Sequence, residues 1–236
     1  MKISDKQLET LLTTRSAQAL KSLLAQRNLV PSLAQASKLQ KHIDTFHQVR
    51  RPIRLGIVHT YTSELLDPWL HFSAALNQLS LDIYHASYGV TLQEATTSSG
   101  LAEHSPDITL LLLTREDLHP ALQMPAACIK LADKPGIHEQ WQHALNRLVS
   151  RFRDTVAGRI IVTFLPSPAS PGLGLYDGMA ENSETHWWNQ IKAELASNIR
   201  DNFSGVSYLD LDHLVMQIGH DNFFDMRLLY SSTFPF

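Results

Sequence analysis

Apolar residues at the start of the chain recur with the period of an α-helix. The leucines that share this spacing are Leu8, Leu11, Leu12, Leu20, Leu23 and Leu24. Pro31 and Ser32 interrupt the pattern, and a second apolar stripe runs from Leu33 to Ile43. Residues 1–49 are therefore predicted to form an N-terminal helical hairpin without strands.

After Arg51-Pro52 the pattern changes to short apolar runs separated by amphipathic stretches, which is typical of βα units. The predicted strands are Ile53–Val58, Leu81–Tyr84, Asp107–Leu113, Arg159–Phe164 and Val206–Leu209. The predicted helices are 64–79, 137–156, 183–202 and 212–218, and Gly158 is placed as the C-cap of the second. Residues 50–236 are thus predicted to be a three-layer, doubly wound α/β domain around a parallel five-stranded sheet.

Composition narrows the range of partners. The 236 residues are 44% hydrophobic and 18% charged, with a net charge of -3, which excludes a disordered chain. Since no run of five like charges occurs, neither nucleic acid nor a membrane surface is an expected partner. The single cysteine, Cys128, excludes an internal disulfide and a Cys-rich zinc site, and no metal or cofactor is expected.

The chain is expected to be cytoplasmic. Its longest apolar run, Ile108–Leu113, is far shorter than the roughly 20 residues of a membrane span. Residues 1–20 alternate polar and apolar groups, which differs from the continuous apolar region of a secretory signal.

Parallel sheets place chemistry beyond the carboxyl ends of their strands, so the loops after the predicted strands hold the candidate site residues. The first of these loops begins with His59 and Thr60 and continues through Tyr61, Thr62 and Ser63. Its hydroxyls and imidazole suit a nucleophile or an anion-binding turn, and Thr62 or Ser63 also suits a helix cap.

The next two loops supply the other candidates. Tyr88-Gly89 follows the second strand, and the Gly89 amide suits either half of an oxyanion hole or a simple turn. The third strand is followed by Arg115, Glu116, Asp117 and His119, a dense set of ionisable groups. Arg115 suits a structural ion pair as well as it suits a ligand contact.

Three further stretches are informative when taken together: IVHTYTSELL at 57–66, DIYHASYGVTLQEATTSSGLAEHSPDITLLLLTRED at 82–117, and VSYLDLDHLVMQIGHDNFFDMRLLYSSTFPF at 206–236. Together they resemble the N-terminal domain of FkbH-like proteins, a domain similar in fold to the SGNH (GDSL) hydrolases. The resemblance implies the SGNH/flavodoxin-like strand order. It also implies a haloacid-dehalogenase (HAD) type phosphatase domain as a partner, which in the full-length family follows this domain and is expected beyond Phe236. Some family members transfer a glyceryl unit to an acyl carrier protein.

The resemblance also implies a degraded catalytic set. The nucleophilic serine of an SGNH hydrolase aligns with Tyr61, and Thr62 and Ser63 follow it. Gly89 matches the oxyanion glycine, whereas the asparagine position falls near Glu116. Asp225 aligns with the catalytic aspartate, but Leu228 stands where the family has its histidine. Without a positioned base, a serine hydroxyl is a poor nucleophile at neutral pH.

These observations support one leading hypothesis and two alternatives. In the first, the domain positions a phosphorylated small molecule or docks an acyl carrier protein, with substrate contacts from His59, Tyr88, Gly89, Arg115, Glu116, Asp117 and His119. In the second, it is an active esterase or acyltransferase using Ser63 or Thr62 with a histidine from another loop, such as His59, His119 or His213. In the third, residues 1–49 are an oligomerisation element of a structural subunit.

Overall fold

The computed structural model describes residues 2–46, 49–167 and 171–232. Residues 47–48 of the predicted helical extension, residues 168–170 of the Pro-rich loop and residues 233–236 of the third resembling stretch lie outside this description. The chain divides into two compact units, which we call unit 1 (Met1–Leu55 with Ser63–Ile83) and unit 2 (Gly56–Thr62 with Tyr84–Phe236). The predicted domain boundary at residue 49 stays a prediction.

Helices and strands alternate through most of the chain. The strands are β1 (Arg51–His59), β2 (Leu79–His85), β3 (Ile108–Leu113), β4 (Arg159–Phe164) and β5 (Val206–Leu209). The longer helices are α1 (Asp5–Leu11), α2 (Ala17–Gln26), α3 (Leu33–Asp44), α4 (Asp67–Leu76), α7 (Lys134–Thr155), α8 (Glu184–Asn202) and α9 (Leu211–Ile218). Short helices are α5 (Thr91–Glu94), α6 (Gly100–His104), α10 (His220–Phe223) and α11 (Met226–Ser232).

The five strands form one parallel sheet in the order β2-β1-β3-β4-β5, within a three-layer α/β fold. This confirms the predicted fold class and strand order. In the described ladders, β3 pairs with β4 from Ile108–Arg159 to Leu113–Phe164, and β4 pairs with β5 from Ile160–Val206 onward. The carboxyl ends of β3 and β4 are therefore level, which aligns the loops that follow them.

The N-terminal region is helical as predicted, but its first arm is two helices instead of one. The hydroxyls of Thr13 and Thr14 donate to the carbonyls of Thr10 and Leu11, at 2.7 and 2.8 Å, where α1 ends. The Ser16 hydroxyl then accepts the amide of Ala19 at 3.2 Å and caps α2. These local hydrogen bonds end one helix and begin another inside a continuous leucine pattern.

Unit 1 has a core of its own. The apolar faces of α1, α2, α3 and α4 pack together, with Leu20 and Leu39 fully buried and Phe72 nearly so. The Trp69 indole on α4 donates to the Pro31 carbonyl at 2.9 Å, which fixes the turn between α2 and α3. Helix α4 ends at Leu76, earlier than predicted, because Gln78 adopts a positive φ of 58° before β2 begins.

Unit 2 is built around the apolar faces of α7 and α8. Trp141, Leu145 and Phe152 on α7, and Ile191 on α8, are at most 1% exposed. Helix α7 begins at Lys134, three residues before its predicted start, and Pro135 lies in its first turn, where its missing amide hydrogen costs nothing. Among the described residues, no helix is both long and apolar enough to cross a bilayer.

Candidate functional site

One cavity of about 670 Å³ lies in unit 2, where the loops after β1, β2 and β3 meet one face of α7. The strand-end loops contribute Thr60, Tyr88, Gly89 and Asp117 to its wall, and α7 contributes Ala144, Arg147, Leu148 and Arg151. This volume is within the range of small-molecule sites, which is about 300–1,000 Å³.

The Asp117 carboxylate organises the polar side of the cavity. Its Oδ2 atom accepts hydrogen bonds from the Thr60 hydroxyl at 2.5 Å, the Thr114 hydroxyl at 2.8 Å and the Thr114 amide at 2.6 Å. The Thr60 amide donates to the carbonyl of Leu112 at 3.1 Å, which ties the end of β1 to the end of β3. The Thr60 hydroxyl is thus held by a carboxylate, in a charge-assisted hydrogen bond.

The loop after β2 is fixed by its backbone and by a buried glutamate. Gly89 has a φ of +75°, and a Cβ there would contact nothing within 4 Å, so the backbone conformation and not the available space requires glycine. Glu94 accepts the Tyr84 hydroxyl and the Leu101 amide, each at 3.0 Å. Burial and this hydrogen bond raise the pKa of Tyr84 to about 12, so its phenol remains the donor at neutral pH.

The three predicted nucleophile positions that follow β1 are Tyr61, Thr62 and Ser63, and all three are at least half-buried. Tyr61 is 3% exposed, and its burial and the Asp117 carboxylate raise the pKa of the phenol. Ser63 is fully buried, and its hydroxyl has no hydrogen-bond partner among the described residues. Thr62 is half-buried. A buried, protonated phenol is a poor nucleophile, and no base among the described residues is hydrogen-bonded to the Ser63 hydroxyl.

His59 is engaged by backbone carbonyls on both sides of its ring. Its Nδ1 lies 2.7 Å from the carbonyl oxygen of Tyr61, and its Nε2 lies 3.0 Å from that of Ala86. Carbonyl oxygens only accept and a neutral imidazole carries one N–H, so the ring donates to one of these two carbonyls at a time. The ring is 1% exposed and packs edge-on against His85 at 5.7 Å. His59 therefore joins the ends of β1 and β2 as a structural residue.

The other two candidate histidines have polar partners of their own. His119 Nδ1 accepts the amide of Ala121 at 3.1 Å, so its Nε2 carries the proton and donates to Gln140 Oε1 at 3.0 Å. His213 Nε2 lies 3.1 Å from Nε2 of the Gln217 side chain. Neither makes a hydrogen bond to Thr60 or Ser63 among the described contacts.

Arg115 and Glu116 lie in a second cluster beside the cavity wall. The Arg115 guanidinium pairs with Glu184 at 2.9 Å and Glu116 at 3.4 Å, and lies 5.8 Å from the centre of the Trp188 ring. Of the two roles that the sequence left open for Arg115, this arrangement matches the structural ion pair. Asp225 caps α11, because its Oδ1 accepts the amides of Arg227 and Leu228 at 3.0 and 3.3 Å.

Several residues of the cavity wall were not predicted from the sequence, and two of them, Arg147 and Arg151, carry a charge. They are four positions apart on α7, so their side chains lie on the same face of the helix. The spacing is visible in the sequence, but whether that face meets the strand-end loops depends on the rotation of α7 against the sheet. Thr91 is a third, and its buried hydroxyl oxygen has no described partner.

The fold and the cavity define a three-layer α/β protein with a cavity at the ends of its strands. No protein-family model matches the sequence, and no curated protein matches it either. Among solved structures, the chain is similar to the crystal structure of the N-terminal part of the protein BF1531 from Bacteroides fragilis, described as containing a phosphatase domain and complexed with Mg. The TM-score is 0.66 at 13% sequence identity, over 87% of this chain and 52% of that one. The chain thus spans about half the length of that structure, and at this identity the similarity establishes the fold.

Proposed function

We propose that unit 2 is a ligand-positioning module of the FkbH type, whose cavity receives a small phosphorylated substrate or the prosthetic arm of an acyl carrier protein. The reaction itself, a glyceryl or acyl transfer, belongs in this proposal to a HAD-type phosphatase domain. The similarity of fold to a protein described as containing a phosphatase domain supports such a partner, as does the sequence resemblance.

The observation that carries this proposal is the hydrogen bond of Thr60 to Asp117. An SGNH hydrolase needs a hydroxyl held by an imidazole, whereas the hydroxyl at this strand end is held by a carboxylate. A carboxylate is a much weaker base than the alkoxide it would have to generate, so the pair is better suited to binding than to nucleophilic attack. The cavity around it is large enough for a small ligand.

The oligomerisation hypothesis for residues 1–49 has less support. The apolar faces of α1, α2 and α3 are already used inside unit 1, where Leu20, Leu39 and Ile43 are fully buried. An oligomerisation helix needs an apolar face that remains outside its own core.

Docking is tested by titrating the 15N-labelled chain with a phosphopantetheinylated acyl carrier protein. Amide resonances of Tyr88, Gly89 and Thr114 are expected to shift, and the same carrier without its prosthetic arm is expected to leave them in place. Equal shifts with both carriers, or none with either, would count against the use of the cavity for this arm.

The esterase alternative is tested by incubating the chain with p-nitrophenyl butyrate. We expect no release of p-nitrophenol above the buffer rate, because no described imidazole is hydrogen-bonded to Thr60 or Ser63. The variants Thr60→Val, Thr62→Val and Ser63→Ala serve as controls, and each is expected to give the same trace. A turnover that either substitution abolishes would establish the esterase and refute the positioning role.

A further inference from the structure

The α7 wall of the cavity carries a paired positive charge. Ala144, Arg147, Leu148 and Arg151 are spaced three and four residues apart and form one helix face. Arg147 and Arg151 are separated by about 6 Å along the helix axis, at about 1.5 Å per residue. Like charges at this spacing repel each other when nothing lies between them.

No described carboxylate neutralises this pair. Neither the Arg147 nor the Arg151 side chain forms an ion pair or hydrogen bond with any described residue, although both line the cavity. Two other arginines of unit 2 do have carboxylate partners, since Arg115 contacts Glu184 and Arg200 contacts Asp201. The two guanidinium groups at the cavity therefore remain able to hold an anion from outside the chain.

The same cavity presents polar groups suited to a hydroxyl-bearing molecule. Asp117 is an acceptor at the wall, and the buried Thr91 hydroxyl has no described partner. Burying a hydroxyl without a hydrogen bond is unfavourable. A ligand hydroxyl that reaches Thr91 supplies its missing hydrogen bond, and one that reaches Asp117 meets a carboxylate acceptor.

We propose that Arg147 and Arg151 form the anion subsite of this cavity, and that the ligand is a small phosphate monoester bearing hydroxyl groups. This inference rests on the ligand-positioning function proposed above and names the class of its ligand. Two guanidinium forks offer more donors than a carboxylate has oxygens, whereas a phosphate monoester presents three terminal oxygens. The overall charge of -3 and the absence of a basic run argue against a polyanion such as nucleic acid.

The test is calorimetric titration of the full chain with glycerol 3-phosphate. The wild type is expected to bind it, to bind inorganic phosphate more weakly, and to show no binding of glycerol. Arg147→Gln and Arg151→Gln are each expected to weaken the affinity about tenfold, as expected for loss of a charge-assisted hydrogen bond, and the double variant is expected to abolish measurable binding. Arg200→Gln is the matched control, because Arg200 is exposed on α8 and does not line the cavity.

Two results would overturn the inference: no binding of glycerol 3-phosphate by the wild type, or equal binding by the double variant. Both arginines are exposed, so their substitution is not expected to unfold the chain. Circular dichroism of each variant checks that it is folded. Pantetheine 4′-phosphate is titrated in parallel to separate a free metabolite from a carrier arm as the source of the phosphate. If carrier docking persists while both phosphate esters fail to bind, the anion subsite is refuted and the positioning function stands. If the esters bind and p-nitrophenyl butyrate is hydrolysed, the positioning function is refuted and the anion subsite stands.

Discussion

Replacing Trp141 with alanine is expected to lower the free energy of unfolding by about 3–5 kcal/mol, the range for removing a large aromatic side chain from a core. Trp141 lies on α7 and is fully buried. Its ring contacts Phe164 at the end of β4, with 5.2 Å between centroids, and Trp188 on α8 at 6.0 Å. Its indole also donates to the Arg115 carbonyl at 3.2 Å, so the substitution leaves both a cavity and an unpaired acceptor.

Urea denaturation followed by circular dichroism measures this loss. Trp141→Phe is the matched control, because it keeps an aromatic ring in the core and removes the indole donor. We expect it to cost less than half as much as alanine. Arg115 lies two residues before Asp117 in the loop after β3, and Trp141→Phe removes the hydrogen bond to its carbonyl. Because this loop supplies Asp117 to the cavity wall, the substitution is also expected to weaken ligand binding in the cavity. Equal midpoints for wild type and Trp141→Ala would show that this cluster does not hold α7 to the sheet.

The sheet could be predicted from the sequence because buried parallel strands leave a strong local signal. Residues 108–113 are apolar except for Thr109 and show no alternation, and in the structure they form β3, between β1 and β4. The helix boundaries were harder to predict, since they depend on single hydrogen bonds such as those of Thr13 and Thr14. Gly158 is a further example. The C-cap of α7 is Val156, and Gly158 instead allows the chain to approach the backbone of Pro106 and Asp107.

The candidate site was partly predictable for a similar reason. The rule that strand ends converge is topological, and it places Thr60, Gly89 and Asp117 in the wall of one cavity. What each side chain does there depends on partners distant in sequence. His59 reads as a free imidazole in the sequence, yet one of its ring nitrogens contacts the carbonyl of Ala86, 27 positions away. Such contacts follow from packing and leave no local pattern.

Asp177→Ala is expected to destabilise the chain by about 3 kcal/mol at neutral pH. Asp177 is 2% exposed and holds the segment before α8 in place. Its carboxylate accepts the Ser183 hydroxyl at 3.0 Å, the Glu184 amide at 2.8 Å and the Thr185 amide at 3.0 Å. Alanine leaves these donors unpaired and removes a negative charge from the positive end of the helix dipole. Chemical denaturation of the variant beside the wild type measures the loss.

The pH dependence identifies the carboxylate as the cause. Burial opposes ionisation of Asp177, but the hydrogen bonds from Glu184, Thr185 and Ser183 outweigh it and lower the pKa from 3.8 to about 2. The charged form is therefore favoured by folding, so its contribution is fully present above pH 4 and is lost as the pH falls from about 4 to 2. The stability difference between wild type and Asp177→Asn should narrow across that interval. A difference that stays constant down to pH 2 would mean that Asp177 contributes by shape and not by charge.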